Sequence, residues 1–280
     1  MKRQLRALAV HDISCVGKCS LTVALPIISA AGIETSVLPT AVLSTHTGGF
    51  TGYTFRDLTE DIMPIASHWE ELGIEFDAVY TGYLGSFKQL ELVKGLFAQF
   101  GKKGLVLVDP VMADHGKLYP GFDKSFPGGM AELCKMADVI VPNLTEAALL
   151  LGEEYVEAPH SEAYIEGLLK RLGAAFGGKI VLTGVSFDGK TLGAACYDSA
   201  GGDLGYAMAN MIEGSYHGTG DVFGSALLAG LLRGLSLIEA ARCAVNFTVD
   251  SIKLTEKDKE SRYGVRFESA LPGFIKSLGL

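Results

Sequence analysis

The chain has 280 residues, 48% of them apolar and only 20% charged. That is enough apolar material for a large core and excludes a disordered chain. Its 24 Lys+Arg against 32 Asp+Glu leave a net charge of −8, which argues against nucleic acid or an anionic membrane surface as the main partner. From the N-terminus, Leu5–Val10 reads as a buried strand ending in polar residues, and Leu21, Ala24, Leu25 and Ile28 follow at helical spacing until Gly32. Thr35–Leu38, Ala78–Tyr80, Leu105–Val108, Val139–Val141 and Ile180–Leu182 are further short buried runs. Helical patterns separate them around Met63–Leu72, Phe87–Phe100, Gly129–Lys135, Thr145–Leu151 and Ala163–Phe176. Such repeated alternation implies an α/β fold with a mostly parallel sheet covered on both faces. Leu192–Tyr197 and Leu204–Met208, joined by a Gly-rich turn, suit an antiparallel hairpin at the end of that sheet. Helices are expected again at Val222–Arg233, Leu237–Leu254 and Phe267–Leu278. With no linker, repeat or low-complexity tract, residues 1–280 read as one domain.

The remaining bulk features point to a cytoplasmic protein. Five cysteines, Cys15, Cys19, Cys134, Cys196 and Cys243, form no framework spacing and fit free thiols in a reducing compartment. The apolar stretch after Lys2 and Arg3 is too short for a signal peptide. The run Val222–Leu232 falls well short of the ~20 residues a membrane helix needs.

In a parallel sheet, ligands sit where strands end and helices begin, so segments just after the apolar runs carry the interest. Gly218-Thr219-Gly220-Asp221 opens a helical run. Its glycines let backbone N–H groups converge at the positive end of a helix, a setting suited to an anion. Asp221 there is either a helix cap or a base that accepts a hydroxyl proton during phosphoryl transfer. Asp109-Pro110-Val111-Met112-Ala113-Asp114 sets two carboxylates beyond a strand, where they suit Mg²⁺ or simply open a turn. Asn143 and Glu146 match a capping box and equally suit a metal–phosphate group. Gly82-Tyr83-Leu84-Gly85-Ser86 offers Tyr83 as a wall for a flat ring or as a core residue. Ser44-Thr45-His46-Thr47-Gly48-Gly49 is either a recognition loop for a polar ring or only a loop. Gly17-Lys18-Cys19-Ser20 imitates the end of a Walker loop but has Asp12 and Cys19 where Gly and Ser/Thr are required. G-x-G-x-x-G after the first strand, H-E-x-x-H and G-x-S-x-G are absent, which excludes the usual dinucleotide, zinc-protease and nucleophile-elbow signatures.

In this order the segments resemble the ribokinase-like superfamily, and within it the pyridoxal/pyridoxamine kinases, over nearly the whole chain. The resemblance implies a three-layer α/β/α sandwich, usually a homodimer, that transfers the γ-phosphoryl of MgATP to the 5′-hydroxymethyl of pyridoxal, pyridoxine or pyridoxamine. Carried over by motif, Asp221 is the general base, and Gly218, Thr219 and Gly220 form the anion hole. Asp109, Asp114, Asn143 and Glu146 arrange Mg²⁺ and the phosphates, with Asp114 and Glu146 nearest the metal. Thr183 matches a nucleotide contact, Ser14, Thr47 and Tyr83 face the pyridine ring, and Tyr119 in Gly116-Lys117-Leu118-Tyr119 is the flap residue. A requirement for K⁺ is left open. The start of the chain departs from the family pattern, with His11-Asp12-Ile13-Ser14-Cys15-Val16-Gly17-Lys18 in place of a longer Gly-rich stretch, so Asp12 rivals Ser14 as a ring contact. Cys15 near an aldehyde is a candidate for a hemithioacetal, which unchanged pyridoxal affinity in Cys15→Ala would remove. The rival readings are a hydroxymethylpyrimidine kinase of the same superfamily and a non-catalytic pyridoxal-binding protein.

Overall fold

The computed structural model describes residues 3–256 and 261–280. In chain order the elements are β1 (Arg6–Ser14), α1 (Leu21–Ala30), β2 (Glu34–Leu43), β3 (Phe55–Asp57), α2 (Ile62–Glu71), β4 (Ala78–Thr81), α3 (Phe87–Phe100) and β5 (Leu105–Val108). There follow β6 (Ala113–Asp114), β7 (Lys117–Leu118), α4 (Phe126–Cys134), β8 (Val139–Ile140), α5 (Leu144–Leu151), α6 (Glu162–Phe176) and β9 (Lys179–Val185). β10 (Thr191–Asp198), β11 (Asp203–Asn210), α7 (Thr219–Leu232), α8 (Leu237–Thr255) and α9 (Phe267–Ser277) complete the order.

Nine strands make one sheet in the order β11-β10-β9-β8-β5-β4-β1-β2-β3. The strands from β9 across to β2 are parallel, and antiparallel β10, β11 and β3 finish the two edges. The central strands are apolar on both faces because both faces are covered. Leu8, Val10, Val79, Val106 and Val108 point into a core shared with α2–α6. Ala7, Ala78, Tyr80 and Leu107 point into the opposite core, shared with α1 and α7–α9. This is the three-layer, mostly parallel α/β architecture that the resemblance implies.

Local signals set the helix starts. The Ser86 hydroxyl accepts the Gln89 N–H of α3 at 3.2 Å, and the Ser161 hydroxyl accepts the Tyr164 N–H of α6 at 3.2 Å. Gly152 ends α5 in the left-handed conformation, with φ 67°.

Three features differ from the expectations. β1 does not end at the polar residues but continues to Ser14, which pairs with Leu43 of β2. His11, Asp12 and Ser14 are buried there, so polarity is a poor guide to where this strand stops. β3 has three exposed residues and no apolar alternation, and only its pairing with β2 makes it a strand. The stretch around Gly116 is a two-residue-per-strand hairpin of β6 and β7. Among the described residues, no helix is long and apolar enough to cross a membrane.

Candidate active site

The parallel strands deliver their C-terminal ends to one edge of the sheet, and the residues just beyond them meet α7. Gly218 caps α7 with φ 78°, and a Cβ there would lie 2.2 Å from the Lys18 carbonyl oxygen. Only glycine lets this helix start so close to the loop after β1. The first helical bond runs from the Val222 N–H to the Gly218 C=O at 3.0 Å. The amides of Thr219, Gly220 and Asp221 precede it and point out of the helix end. Nothing lies within 4 Å of where a side chain on Gly220 would begin. The Thr219 hydroxyl turns away and donates to the Tyr216 C=O at 3.2 Å. What α7 offers is therefore an accessible set of backbone donors at its positive end.

Asp221 stands in the first turn of α7, half-buried beside those amides. Burial lifts its carboxyl to about 6, the Ser20 amide opposes that rise, the charge of Asp12 adds to it, and the Cys19 thiol donates to the carboxylate. Ser20 supplies its amide from a backbone conformation that L residues rarely adopt, with φ 53° and ψ −126°. The false Walker stretch thus lies at the site for a different reason. Its backbone braces Asp221 and Gly218, while the Lys18 ammonium pairs with Glu268 at 2.8 Å.

On the far side of Asp221, β1 breaks register with β2 between His11 and Ile13, an irregularity of the kind that re-aims a side chain. Asp12 sits at that break, 5% exposed, and its Oδ2 accepts the Ser14 hydroxyl at 3.4 Å. Burial raises the Asp12 carboxyl, and the Ser20 and Ser14 hydroxyls hold it down. Ser14 is itself buried and turned to Asp12. Tyr83 is half-buried against Phe122 with ring centroids 5.5 Å apart. Burial and then the Asp12 charge push its phenol up.

The acidic side follows β5 and β8. Asp109 is buried, and burial, Glu146 and Asp221, in that order, push its carboxyl well up. Glu146 is buried too and raised mainly by burial, with backbone amides opposing the rise. It completes the capping box of α5, its Oε2 accepting the Asn143 N–H at 2.9 Å and its Oε1 the Met112 N–H at 3.1 Å. Asn143 spends its side chain on the Glu146 N–H at 2.9 Å and the Ala113 C=O at 2.8 Å. Asp114 is half-exposed on β6 and accepts the His115 N–H at 2.8 Å. Tyr119, just past β7, donates its amide to the Met112 C=O at 2.9 Å. Burial and then the charges of Glu146, Asp114, Asp109 and Asp221 push its phenol up. Thr183 ends the row beside Asn143, its amide donating to the Pro142 C=O at 2.9 Å.

The family follows from comparison with known proteins. The sequence model of the phosphomethylpyrimidine kinases matches residues 28–265. The chain belongs to the phosphomethylpyrimidine kinase family. A hydroxymethylpyrimidine/phosphomethylpyrimidine kinase of Rhizobium meliloti is 26% identical over 90% of this chain and 91% of its own. The crystal structure of pyridoxal kinase from Lactobacillus plantarum is 32% identical, covers 98% of each chain and superposes with a TM-score of 0.90. A Bacteroides thetaiotaomicron protein named as a phosphomethylpyrimidine kinase and solved with pyridoxal is 34% identical over 97% of this chain and 96% of its own, with a TM-score of 0.91. The protein is a kinase of the pyridoxal/phosphomethylpyrimidine kinase group.

In this kinase the charges of Glu146 and Asp221 act on Asp109 and, with it, on Tyr119, and the charge of Asp12 acts on both Asp221 and Tyr83. Thr47 is exposed in its loop. The loop is anchored by His46, whose Nε2 lies 2.9 Å from the Arg262 C=O while its Nδ1 accepts the Gly48 N–H at 3.1 Å. Burial pushes that imidazole's pKa down, and the His217 ring, just before the Gly218–Asp221 turn, packs over Gly48. Cys15 is exposed. Three participants escaped the sequence reading. Ser20 and Cys19 hold Asp221, and the Thr145 hydroxyl accepts the Gly116 N–H at 2.9 Å and ties down the β6–β7 hairpin. No motif announces them, because each acts through a backbone amide or a contact distant in sequence.

Among the described residues, no three His, Cys, Asp or Glu side chains form a metal cage. The donor chemistry nevertheless suits Mg²⁺, which keeps waters and substrate phosphates and takes only one or two carboxylates. Asp109 and Glu146 are hard oxygen donors that burial and mutual repulsion leave short of positive charge, and carboxylate oxygens that already accept one amide keep a second lone pair.

Proposed function

We propose that this kinase transfers the γ-phosphoryl of ATP to the 5′-hydroxymethyl of a B6 vitamer. The observation that carries the reading is Asp221, a carboxylate lifted to about 6 beside open helix-terminal amides. A group titrating there is largely ionised at neutral pH yet still basic enough to take a hydroxyl proton. The acceptor oxygen would attack the γ-phosphorus as its proton passes to Asp221, and the bond to the ADP oxygen would break in line. The amides of Thr219, Gly220 and Asp221 would hold the charge on the transferring group. Asp109 and Glu146 would hold Mg²⁺, directly or through water, with Asp114 at the rim, and that ion would neutralise phosphate charge. Tyr83 would lie against the ring, Ser14 and Thr47 would border it, and Thr183 would border the nucleotide beside Asn143. Tyr119 would close over the phosphates and limit water as a competing acceptor.

A solved relative at 32% identity is named a pyridoxal kinase, and one at 34%, named a phosphomethylpyrimidine kinase, was solved with pyridoxal; both support the B6 reading. The full-length likeness to a hydroxymethylpyrimidine kinase favours the pyrimidine alcohol as the second reading, since the chemistry on the CH₂OH is the same. The test is a steady-state panel with MgATP and pyridoxal, pyridoxine, pyridoxamine and hydroxymethylpyrimidine. We expect kcat/KM on at least one vitamer to exceed that on the pyrimidine by about tenfold or more, the order that one well-placed polar contact provides. Turnover of the pyrimidine alone would overturn the choice.

A further inference from the structure

Among the described residues, four loop segments meet on one imidazole. His46 lies in the loop after β2, 2% exposed. Its amide donates to the Val16 C=O at 3.2 Å. Its Nδ1 accepts the Gly48 N–H at 3.1 Å, and its Nε2 donates to the Arg262 C=O at 2.9 Å. An amide only donates and a carbonyl only accepts, so these two bonds fix the ring as the neutral Nε2–H tautomer. The ring packs edge-on to Phe50, with centroids 4.9 Å apart, and tilted against His217 at 5.4 Å. A Cβ on Gly17 would lie 2.0 Å from the His46 Cδ2, and a Cβ on Gly48 would lie 2.6 Å from the His217 Nδ1. Glycine at both positions lets backbone and ring touch without slack. His217 directly precedes Gly218, and its C=O accepts the Val265 N–H at 3.3 Å. The loop after β1, the loop carrying Thr47, the 262–265 segment and the start of the Gly218–Asp221 turn are therefore joined through this ring.

Resting on the kinase reading above, we propose that His46 is a positioning residue that makes the acceptor alcohol and the nucleotide bind cooperatively. In that reading Thr47 borders the acceptor, and Gly218–Asp221 hold the transferring phosphoryl group. A ligand at either place must order its own loop, at a free-energy cost set against the contacts it gains. Because the His46 and His217 rings join the two loops, a ligand that fixes one leaves less of the other to order. Each ligand then tightens the other by the same factor. The turn that holds the phosphoryl group is best ordered when an alcohol is present to accept it, which disfavours transfer to water.

Calorimetric titration of pyridoxal with and without saturating MgAMP-PNP, which is not hydrolysed, and the reverse titration measure that factor without turnover. Wild-type protein should show a tightening of about fivefold or more in each direction. His46→Ala removes both side-chain bonds and should bring the factor close to one, while Kd for MgAMP-PNP alone stays near the wild-type value. His46→Asn keeps an acceptor for the Gly48 N–H but is too short to reach the Arg262 C=O. It should retain part of the coupling, and it takes the place of the alanine variant if that one does not fold. Independent binding of the two ligands by the wild-type protein would overturn the proposal, and that arm needs no variant. A wild-type factor preserved in the variants, whatever their melting temperatures or separate affinities, would also overturn it, since His46 would then serve the fold alone. If pyridoxal does not bind, hydroxymethylpyrimidine replaces it in the same titrations, and binding of neither alcohol would sink both readings. Failure of the B6 reading is thus seen as absent pyridoxal binding, and failure of the His46 proposal as a factor of one or as a factor the variants do not change.

Discussion

Exchanging Asp221 for Asn keeps the shape of the side chain and removes both its charge and its basicity. With a carboxyl near 6, the ionised share rises from roughly one tenth at pH 5 to roughly nine tenths at pH 7. Wild-type kcat/KM should therefore climb about ninefold across that interval, and Asp221→Asn should lack this limb. Loss of a positioned general base should lower kcat by about two to four decades. ATP affinity should survive, since the amides of Thr219 and Gly220 remain. Stability should move the other way. The folded carboxyl is raised above its ordinary 3.8, so its contribution is fully favourable only below that value and is lost as pH rises through about 6. The shift corresponds to at most ~3 kcal/mol. Because Asp221 keeps some contact with water, about 1–2 kcal/mol is expected. At pH 8 Asp221→Asn should then melt about 2–6 °C higher than wild type, and near pH 4 the two should coincide. Melting curves at both pH values, with a phosphoryl-transfer assay from pH 5 to 8, check all of this. Near-normal turnover in Asp221→Asn, or lost activity accompanied by a lower melting temperature at pH 8, would refute the role assigned to this carboxylate.

Gly218→Ala should place a methyl group 2.2 Å from the Lys18 carbonyl and force a side chain into φ 78°. The start of α7 must shift, so ATP affinity should fall about tenfold or more and stability by about 1–3 kcal/mol. Unchanged nucleotide binding by calorimetry would count against the anion site. Glu146→Ala removes a cap and strands the Asn143 and Met112 amides, at a cost of about 2–3 kcal/mol by thermal denaturation. It should also raise the Mg²⁺ concentration needed for half-maximal rate, and an unchanged Mg²⁺ dependence would leave Glu146 with the cap alone.

The alternation of apolar runs and helical patterns by itself determined the layers, the parallel centre and the antiparallel finish at β10 and β11, because burial on one or two faces writes a period into the chain. Phe87–Phe100 and Leu105–Val108 could be bounded to the residue, since a capping serine and polar flanks mark their ends. Gly218–Asp221 was legible for the same local reason, a helix start with glycines and an acid. β3 and the continuation of β1 to Ser14 were not legible, because an edge strand and a buried polar strand end follow from pairing partners and not from composition. The balance between cap and metal ligand at Glu146 also had to await the tertiary structure. Only there is Asp109 buried near enough for the charge of Glu146 to push its carboxyl up. The role of the 12–20 segment was decided in the same way. Nothing in its letters says that Ser20, in a strained conformation, turns its amide to a carboxylate some two hundred residues away, because that contact exists only once β1 and α7 converge at one edge of the sheet.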